Sequence, residues 1–301
     1  MTSLIGNAPV DGVDVAALLG IPISAEQERA VQAPLKPCAV IAGAGTGKTT
    51  VMAARVVWLV ASRLVSPEEI LGLTFTNKAT AELSERIESN LTRVGLLTSE
   101  QPRPTVATYD SFAGTLVNDY GAWDGISTGA HLITGARAYQ LAAEVVMGLD
   151  KAPLAATHMG PTFIAQAVVK LAGAMASHDA SPGKVRRADA RWRQMLLAAP
   201  TKRGGDRYAD IDKWLSRVDE REELLDLVAA YQNLKKERGL VEFGDRMVQA
   251  LHLVTHHPRV GEELRARYRV VLLDEYQDTS SAQADVLAAL FSGPDSAHGM
   301  G

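Results

Sequence analysis

Apolar positions along the chain fall into two rhythms. Over the first 120 residues, short apolar runs alternate with stretches whose apolar side chains return every three or four positions. Residues 25–32 read as a short helix capped by Ser24, with Glu26 in its first turn. Residues 39–42 read as a buried strand that breaks at Gly43, and 47–63 as a helix with Val56, Leu59 and Val60 on one face. Ser66-Pro67-Glu68-Glu69 is a helix-start signature that leads into a strand over 70–75. Asn77 is expected to cap the next helix, which runs to about Arg93. A strand over 105–108 and a helix from about Asp110 to Tyr120 complete the alternation. Strand-helix repetition of this kind predicts an α/β fold on a parallel sheet, because each helix carries the chain back to the same edge.

The second rhythm is helical throughout. Between about Ala122 and Gly239 no strand pattern is found. Ala-rich helical stretches over 136–147, 163–177, 187–199 and 211–236 are parted by Gly160-Pro161, Ser181-Pro182-Gly183 and Arg203-Gly204-Gly205-Asp206. The last stretch sets Leu224, Leu227, Val228 and Tyr231 at the spacing of a core-facing stripe. After a helix over 243–254, Val270-Val271-Leu272-Leu273 returns the chain to the sheet and ends on Asp274-Glu275. The sheet domain is therefore expected to be split in sequence by a helical insertion. The first twenty residues carry little pattern, and order is expected from Ser24.

Composition narrows the class. With 301 residues, 47% apolar and 22% charged, the chain has the mixture of a soluble globular protein of two ordinary domains, which excludes disordered, collagen and coiled-coil classes. The longest apolar run near a predicted helix, residues 56–61, falls far short of the roughly 18 residues needed to cross a bilayer. No basic residue precedes Arg29, and Asp11 and Asp14 stand where a signal peptide would be apolar, so a cytoplasmic location is expected. Cys38, the single cysteine, cannot pair internally and is expected to be a small buried residue beside the first strand. The net charge of −4 offers no global attraction for a nucleic acid, so any such partner must meet a local surface.

Candidate chemistry gathers in two places. Ala42-Gly43-Ala44-Gly45-Thr46-Gly47-Lys48-Thr49-Thr50 lies between a predicted strand and a predicted helix, the setting of a phosphate-binding loop. Glycines let successive backbone N–H groups turn toward phosphate oxygens, and the helix start adds its positive dipole end. Lys48 is placed to reach the β- and γ-phosphates of ATP, and the Thr49 hydroxyl to bind Mg²⁺. The same site needs an apolar strand ending in acid. Asp274 supplies a Mg²⁺ ligand, and Glu275 a group that orients or deprotonates the attacking water. Standing alone, either feature reads as an ordinary turn or a polar strand end; their pairing favours the site.

Asp274-Glu275-Tyr276-Gln277-Asp278-Thr279 is more specific than a generic acid pair, and it resembles motif II of UvrD/Rep/PcrA-like superfamily 1A DNA helicases. Residues 42–49 resemble that family's motif I. Gln27, in Ile23-Ser24-Ala25-Glu26-Gln27-Glu28-Arg29, resembles the glutamine that reads the adenine edge. Leu73-Thr74-Phe75-Thr76-Asn77-Lys78-Ala79 resembles motif Ia, Thr108-Tyr109-Asp110-Ser111-Phe112 motif Ib, and Glu242-Phe243-Gly244-Asp245 the short motif after the family's inserted subdomain. The resemblance covers about residues 21–283. It implies a RecA-like domain 1A over 21–120 and 239–301, a helical subdomain 1B over 121–238 and an extension over 1–20. It also implies 3′–5′ ATP-driven movement along single-stranded DNA in repair or recombination, with duplex DNA as a further partner and Gln277 coupling the ATP site to DNA.

In the same resemblance Phe75 stacks on a base, a contact of about 1 to 3 kcal/mol, while Thr76 and Asn77 hold a DNA phosphate at a helix start. Thr108 and Ser111 touch the DNA backbone. The alternative is a core phenylalanine and an ordinary cap. Asp110 stands where the family usually has histidine, which departs from the pattern at that contact. The insertion concentrates Lys184, Arg186, Arg187, Arg191, Arg193, Lys202, Arg203 and Arg207 against Asp189 and Asp206, either a DNA-contacting surface or a solvated helix face. His256 and His257 receive no function.

The family's pattern continues beyond motif II into a Gly-Asp strand, a γ-phosphate-sensing glutamine and a second RecA-like domain whose arginine fingers are worth about 10³ to 10⁵ in turnover. The chain is therefore expected to be an N-terminal fragment with little activity of its own. Its layout, the helix from Met52 to Val60 above all, is similar to the helicase part of actinobacterial helicase-nucleases of the AdnB kind, which implies a partner subunit and a downstream nuclease domain. A stand-alone repair helicase fits the same motifs. Two further readings are a DNA- or partner-binding module without turnover and an unrelated P-loop ATPase indifferent to DNA.

Overall fold

Ile70–Thr74 forms β1, and all five of its residues are buried. A run this apolar suits a strand flanked on both edges and covered on its faces. β1 is the middle of a three-stranded sheet, parallel to β2 (Thr105–Thr108) on one side and to β5 (Val270–Leu273) on the other. The α/β class with a parallel sheet is thus present. The computed structural model describes residues 12–43, 45–127, 129–149, 160–202 and 205–292. Ala44 of the loop, Arg203 of the basic cluster, most of the N-terminal extension and the tail from Gly293 lie outside these residues.

The chain divides into two compact units. The first comprises the described parts of Met1–Phe112, His257–Thr279 and Ala289–Gly301. Its helices are α1 (Val15–Leu19), α2 (Ala25–Val31), α3 (Lys48–Ala61), α4 (Asn77–Arg93) and α11 (Pro258–Arg267). Val56, Val57 and Leu59 of α3 pack in one buried cluster with Ile70 and with Leu83, Ile87 and Leu91 of α4, whose apolar residues recur at helical spacing. Arg55 of α3 donates to the carbonyls of Val31 at 2.9 Å and Ala33 at 2.7 Å, which ties the end of α2 to α3 and satisfies carbonyls a helix end leaves open.

Four expectations need correction in this unit. Residues 39–42 form no strand: Ile41 is 98% exposed and the segment joins no ladder among the described residues. A short apolar run marks what could be buried, but a strand also needs a partner edge, and local pattern does not supply one. Cys38 is accordingly exposed. The cap of α4 is Thr76, whose hydroxyl accepts from the Ala79 amide at 3.1 Å, and Asn77 is the first helical residue. Order also begins earlier than Ser24, because Asp14 caps α1 and Gly20 closes it. Pro67–Glu69 makes a single 3-10 turn before β1.

The second unit comprises Ala113–His256 and Ser280–Ala288. It contains α6 (Gly135–Met147), α7 (Pro161–Ser177), α8 (Pro182–Leu197), α9 (Ala209–Glu237) and α10 (Phe243–His256), while α5 (Tyr109–Tyr120) follows β2 and α12 (Ser281–Phe291) follows β5. Leu225, Leu227, Val228 and Tyr231 of α9 are buried against Leu141 of α6 and Val168 of α7. At 29 residues, α9 is about 43 Å long. Contrary to expectation, the helical stretch holds a strand: β3 (His131–Leu132) pairs in parallel with β4 (Leu240–Val241). Two residues are too few to leave a periodic signature. Gly244 of α10 marks a close approach to α7, where an added Cβ would meet that of Ala176 at 2.9 Å.

Lys235, 3% exposed, is the best buried charge among the described residues of this unit. Its ammonium donates to Glu242 at 2.7 Å and to both oxygens of Asp245 at 2.7 and 2.9 Å, while the Tyr231 hydroxyl donates to Glu242 at 2.9 Å. Removing one partner of such a cluster leaves charges uncompensated in a poorly solvated place. Lys235→Met should therefore lower the unfolding free energy by about 3 kcal/mol, and Tyr231→Phe by about 1 kcal/mol. Urea unfolding followed by circular dichroism measures both; a loss below about 1 kcal/mol for Lys235→Met would show the two carboxylates to be well hydrated.

Candidate functional site

Parallel strands place their C-terminal ends along one edge, where open α/β sheets bind ligands. In the first unit Phe75, Thr76 and Asn77 follow β1, Thr108 ends β2, and Asp274 to Gln277 follow β5. The Asp274 amide extends the ladder by one bond, donating to the Leu73 carbonyl at 2.9 Å. The acid pair is thereby held at the level where β1 ends.

The glycine-rich loop enters α3 through Gly45 at φ 75° and Gly47 at φ 83°, backbone that side-chain-bearing residues rarely adopt. An added Cβ at Gly47 would stand 3.4 Å from the Gln27 side-chain Nε2. Thr46 closes the turn by donating to the Gly43 carbonyl at 2.8 Å. Lys48 opens α3, and its ammonium donates to the Ala42 carbonyl at 3.3 Å and lies 3.5 Å from a Glu275 carboxylate oxygen. Thr49 and Thr50 follow in the first turn, half-buried.

Gln27 sits in a capping box on α2. It accepts from the Ser24 amide at 2.9 Å and donates to the Thr46 carbonyl at 3.0 Å, so the helix start and the loop share one side chain.

Glu275 adopts a left-handed conformation, φ 48° and ψ 40°, which is strained for a residue other than glycine. The turn sends its side chain to Lys48 on one oxygen and to the Gln277 amide on the other. The Gln277 hydrogen bond, then the Lys48 charge, hold this carboxyl below the usual glutamate range. Asp274 moves the other way: burial and the neighbouring Glu275 charge raise its carboxyl above the usual aspartate range, with Lys48 opposing. Two adjacent carboxylates are thus distinguished by environment.

The strand ends differ in what they expose. Phe75 is half-buried, its ring centroid 5.0 Å from that of Tyr109, while Thr76 and Asn77 are exposed. Thr108 is buried and its hydroxyl accepts from the Ser111 amide at 3.0 Å and donates to the Ser111 hydroxyl at 2.8 Å, so it serves as the first cap of α5; Ser111 itself is exposed.

Sequence reasoning missed three contributors. Arg86 of α4 donates to the Thr50 hydroxyl at 2.7 Å, Arg55 anchors α2, and the Tyr109 hydroxyl donates to the Asp274 carbonyl at 3.3 Å. Tyr109 lies inside the Thr108-Tyr109-Asp110-Ser111-Phe112 motif, but nothing local announces a partner so distant in sequence.

The donor set suits a nucleotide with Mg²⁺. Glycine backbone and a lysine fit phosphate oxygens, and a hydroxyl with one or two carboxylates fits a hard cation that keeps most of its waters. Among the described residues no cluster of three or more His, Cys, Asp or Glu forms an all-protein metal cage, and no helix is long and apolar enough to cross a membrane.

A family model described as UvrD/REP helicase N-terminal domain matches residues 23–299. The chain is 26% identical over 272 residues to DNA helicase II of Rickettsia typhi, covering 89% of this chain and 36% of that protein. It is 27% identical over 282 residues to ATP-dependent DNA helicase UvrD1 of Mycobacterium tuberculosis, covering 92% and 31%. With DNA helicase II of Haemophilus influenzae the identity is 28% over 272 residues, covering 90% and 32%. The chain thus spans about a third of the length of the curated relatives it matches.

Burial pushes the Tyr109 phenol up to about 12. Between pH 10 and pH 12 an unfolded tyrosine releases its proton while the folded one keeps it, so this group's contribution to stability is lost as pH rises through that window. Alkaline titration at 295 nm should show a late phenol that Tyr109→Phe removes, with about 1 kcal/mol lost at neutral pH for the deleted hydrogen bond.

Proposed function

Since the chain belongs to the UvrD/REP helicase N-terminal domain family, we propose that its first unit is the ATP-binding part of a 3′–5′ superfamily 1A DNA helicase. One observation carries the reading: Lys48 of the glycine loop bridges to Glu275 at the end of β5, beside Asp274. Phosphate chemistry needs this combination, a cation for developing charge next to an acid for the nucleophile.

In this reading Gln27 faces the adenine. The backbone of Ala42, Gly43, Ala44, Gly45, Thr46 and Gly47, with Lys48, Thr49 and Thr50, holds the phosphates. Thr49 and Asp274 are the Mg²⁺ ligands. ATP with Mg²⁺ supplies the anhydride whose hydrolysis drives the work. Glu275, already ionised through Gln277 and Lys48, takes a proton from water as Lys48 turns to phosphate. Gln277, hydrogen-bonded to Glu275, relays the state of the site toward DNA. Phe75 stacks on a base, and Thr76, Asn77 and Ser111 face the DNA backbone, while the buried Thr108 contributes only by holding Ser111 in place.

The reading extends to subdomains 1A and 1B as delimited from the sequence, to a second RecA-like domain of the same protein that completes turnover, to a cytoplasmic role in DNA repair or recombination, and to a helicase-nuclease partner subunit. Single-stranded-DNA-stimulated ATPase of the full-length protein tests it. Lys48→Ala should cut turnover at least a hundredfold, the scale of losing one preorganised charge-stabilising donor. Glu275→Gln should cut it about 10² to 10⁴-fold while nucleotide still binds. Undiminished activity in either variant would refute the assignment.

A further inference from the structure

The basic cluster of the helical insertion is not absorbed by the site above, and its structure is uneven. α8 and α9 run antiparallel, and the inner part of the pair is zipped by charge. Arg186 donates to Glu222 and Asp226, each at 2.6 Å, Arg221 is paired with the buried Asp189, and Lys184 with Asp179. These cations are spent on acids of their own unit.

The outer end is different. Trp192 is 50% exposed and Trp214 46%, their ring centroids 6.0 Å apart and tilted by 52°. Met195 and Leu197, later in α8, and Tyr208, just before α9, are also exposed. Cations lie on the rings themselves: the Arg217 guanidinium is 5.4 Å from the Trp214 centroid and the Lys202 ammonium 5.6 Å from that of Tyr208. Arg193 and Arg207 are paired with Asp219 and Asp212, but Arg191, Lys202, Lys213 and Arg217 have no carboxylate partner among the described residues. From 191 to 217 the sequence has seven cations against three acids, in a chain whose net charge is −4.

Two exposed tryptophans in one place are rarely idle, because clustered aromatic surface in water favours association. The core of a protein-binding patch is depleted of charge. Here charge is interleaved with the rings, which is the chemistry of a partner that alternates flat π-faces with anions.

We propose that the Trp192–Trp214 end of the α8/α9 pair binds single-stranded nucleic acid, holding bases against the indole faces and phosphates on Arg191, Lys202 and Lys213. The surface is sequence-tolerant, since every base offers a π-face. It belongs to the second unit and works without nucleotide, so it stands or falls apart from the ATP site.

Tryptophan emission reads this surface directly. In the 301-residue chain with Trp58→Phe and Trp123→Phe, only Trp192 and Trp214 report. Titration with the oligonucleotide dT15, without ATP, should quench their emission to saturation. Raising NaCl from about 50 to about 200 mM should weaken binding about 20-fold for three phosphates on a single strand. Trp192→Ala, read through Trp214, should shift the midpoint about tenfold. The double variant Arg191→Glu/Lys213→Glu, which leaves both rings and the buried pairs in place, should shift it by at least a similar factor. Absence of quenching, quenching by duplex alone, or a midpoint indifferent to the charge reversal would overturn the proposal. So would a concentration-dependent dimer that Trp192→Ala dissolves while dT15 leaves the emission unchanged, since that would give the surface to a second copy of the chain.

Discussion

The parallel pairing of β1 with β5 is the constraint on which the first unit turns. Leu73 lies in register with Leu273, and the next amide, that of Asp274, bonds back to the Leu73 carbonyl at 2.9 Å. These strands are separated by most of the chain, so closing this ladder is costly in loop entropy and has to be repaid by burial. All of β1 is buried, and α3 and α4 supply the apolar cover. Once the register is set, a slip of one residue would turn every side chain of the strand over. Asp274 and Glu275 can then emerge only where β1 ends, within reach of Lys48.

Charge is managed in opposite ways by the two units. In the first, Lys48 keeps a loose hold, 3.3 Å from a carbonyl and 3.5 Å from Glu275, with both side chains of the ion pair partly exposed. Such a pair is weak and exchangeable, which suits a lysine whose partner has to change. In the second, Lys235 is enclosed by Glu242, Asp245 and Tyr231 at normal hydrogen-bond distances, an arrangement that fixes the start of α10 against the end of α9. The left-handed Glu275 belongs with the first pattern: local backbone strain aims its carboxylate at the loop, and the ladder beneath holds the strain in place.

What was legible in the sequence was local. The stripe of Leu227, Val228 and Tyr231, the capping box of Ser24 and Gln27, and the apolar runs of β1, β2 and β5 are set by side chains within a turn or two of one another. Misread elements were those whose fate lay elsewhere. Residues 39–42 have the composition of a strand and no partner among the described residues, whereas His131 and Leu132 have no strand signature but meet Leu240 and Val241. Thr76 and Asn77 are both good caps, and the turn out of β1 chose between them. The basic residues of α8 could not be sorted into paired and unpaired without knowing which acids α9 would bring alongside.

The sequence by itself determined the alternation of elements, the glycine loop with its lysine, the acid pair at a strand end, and through them the family. Each depends on the covalent order of neighbouring residues and on backbone preferences of a few kinds of side chain. Only the tertiary structure decided that Glu275 faces Lys48, that Tyr109 and Arg86 brace the site, that Thr108 is occupied as a cap, and that two tryptophans far apart in α8 and α9 share one exposed surface. Those are contacts between segments distant along the chain, created when apolar faces close on one another, and no local pattern carries their geometry.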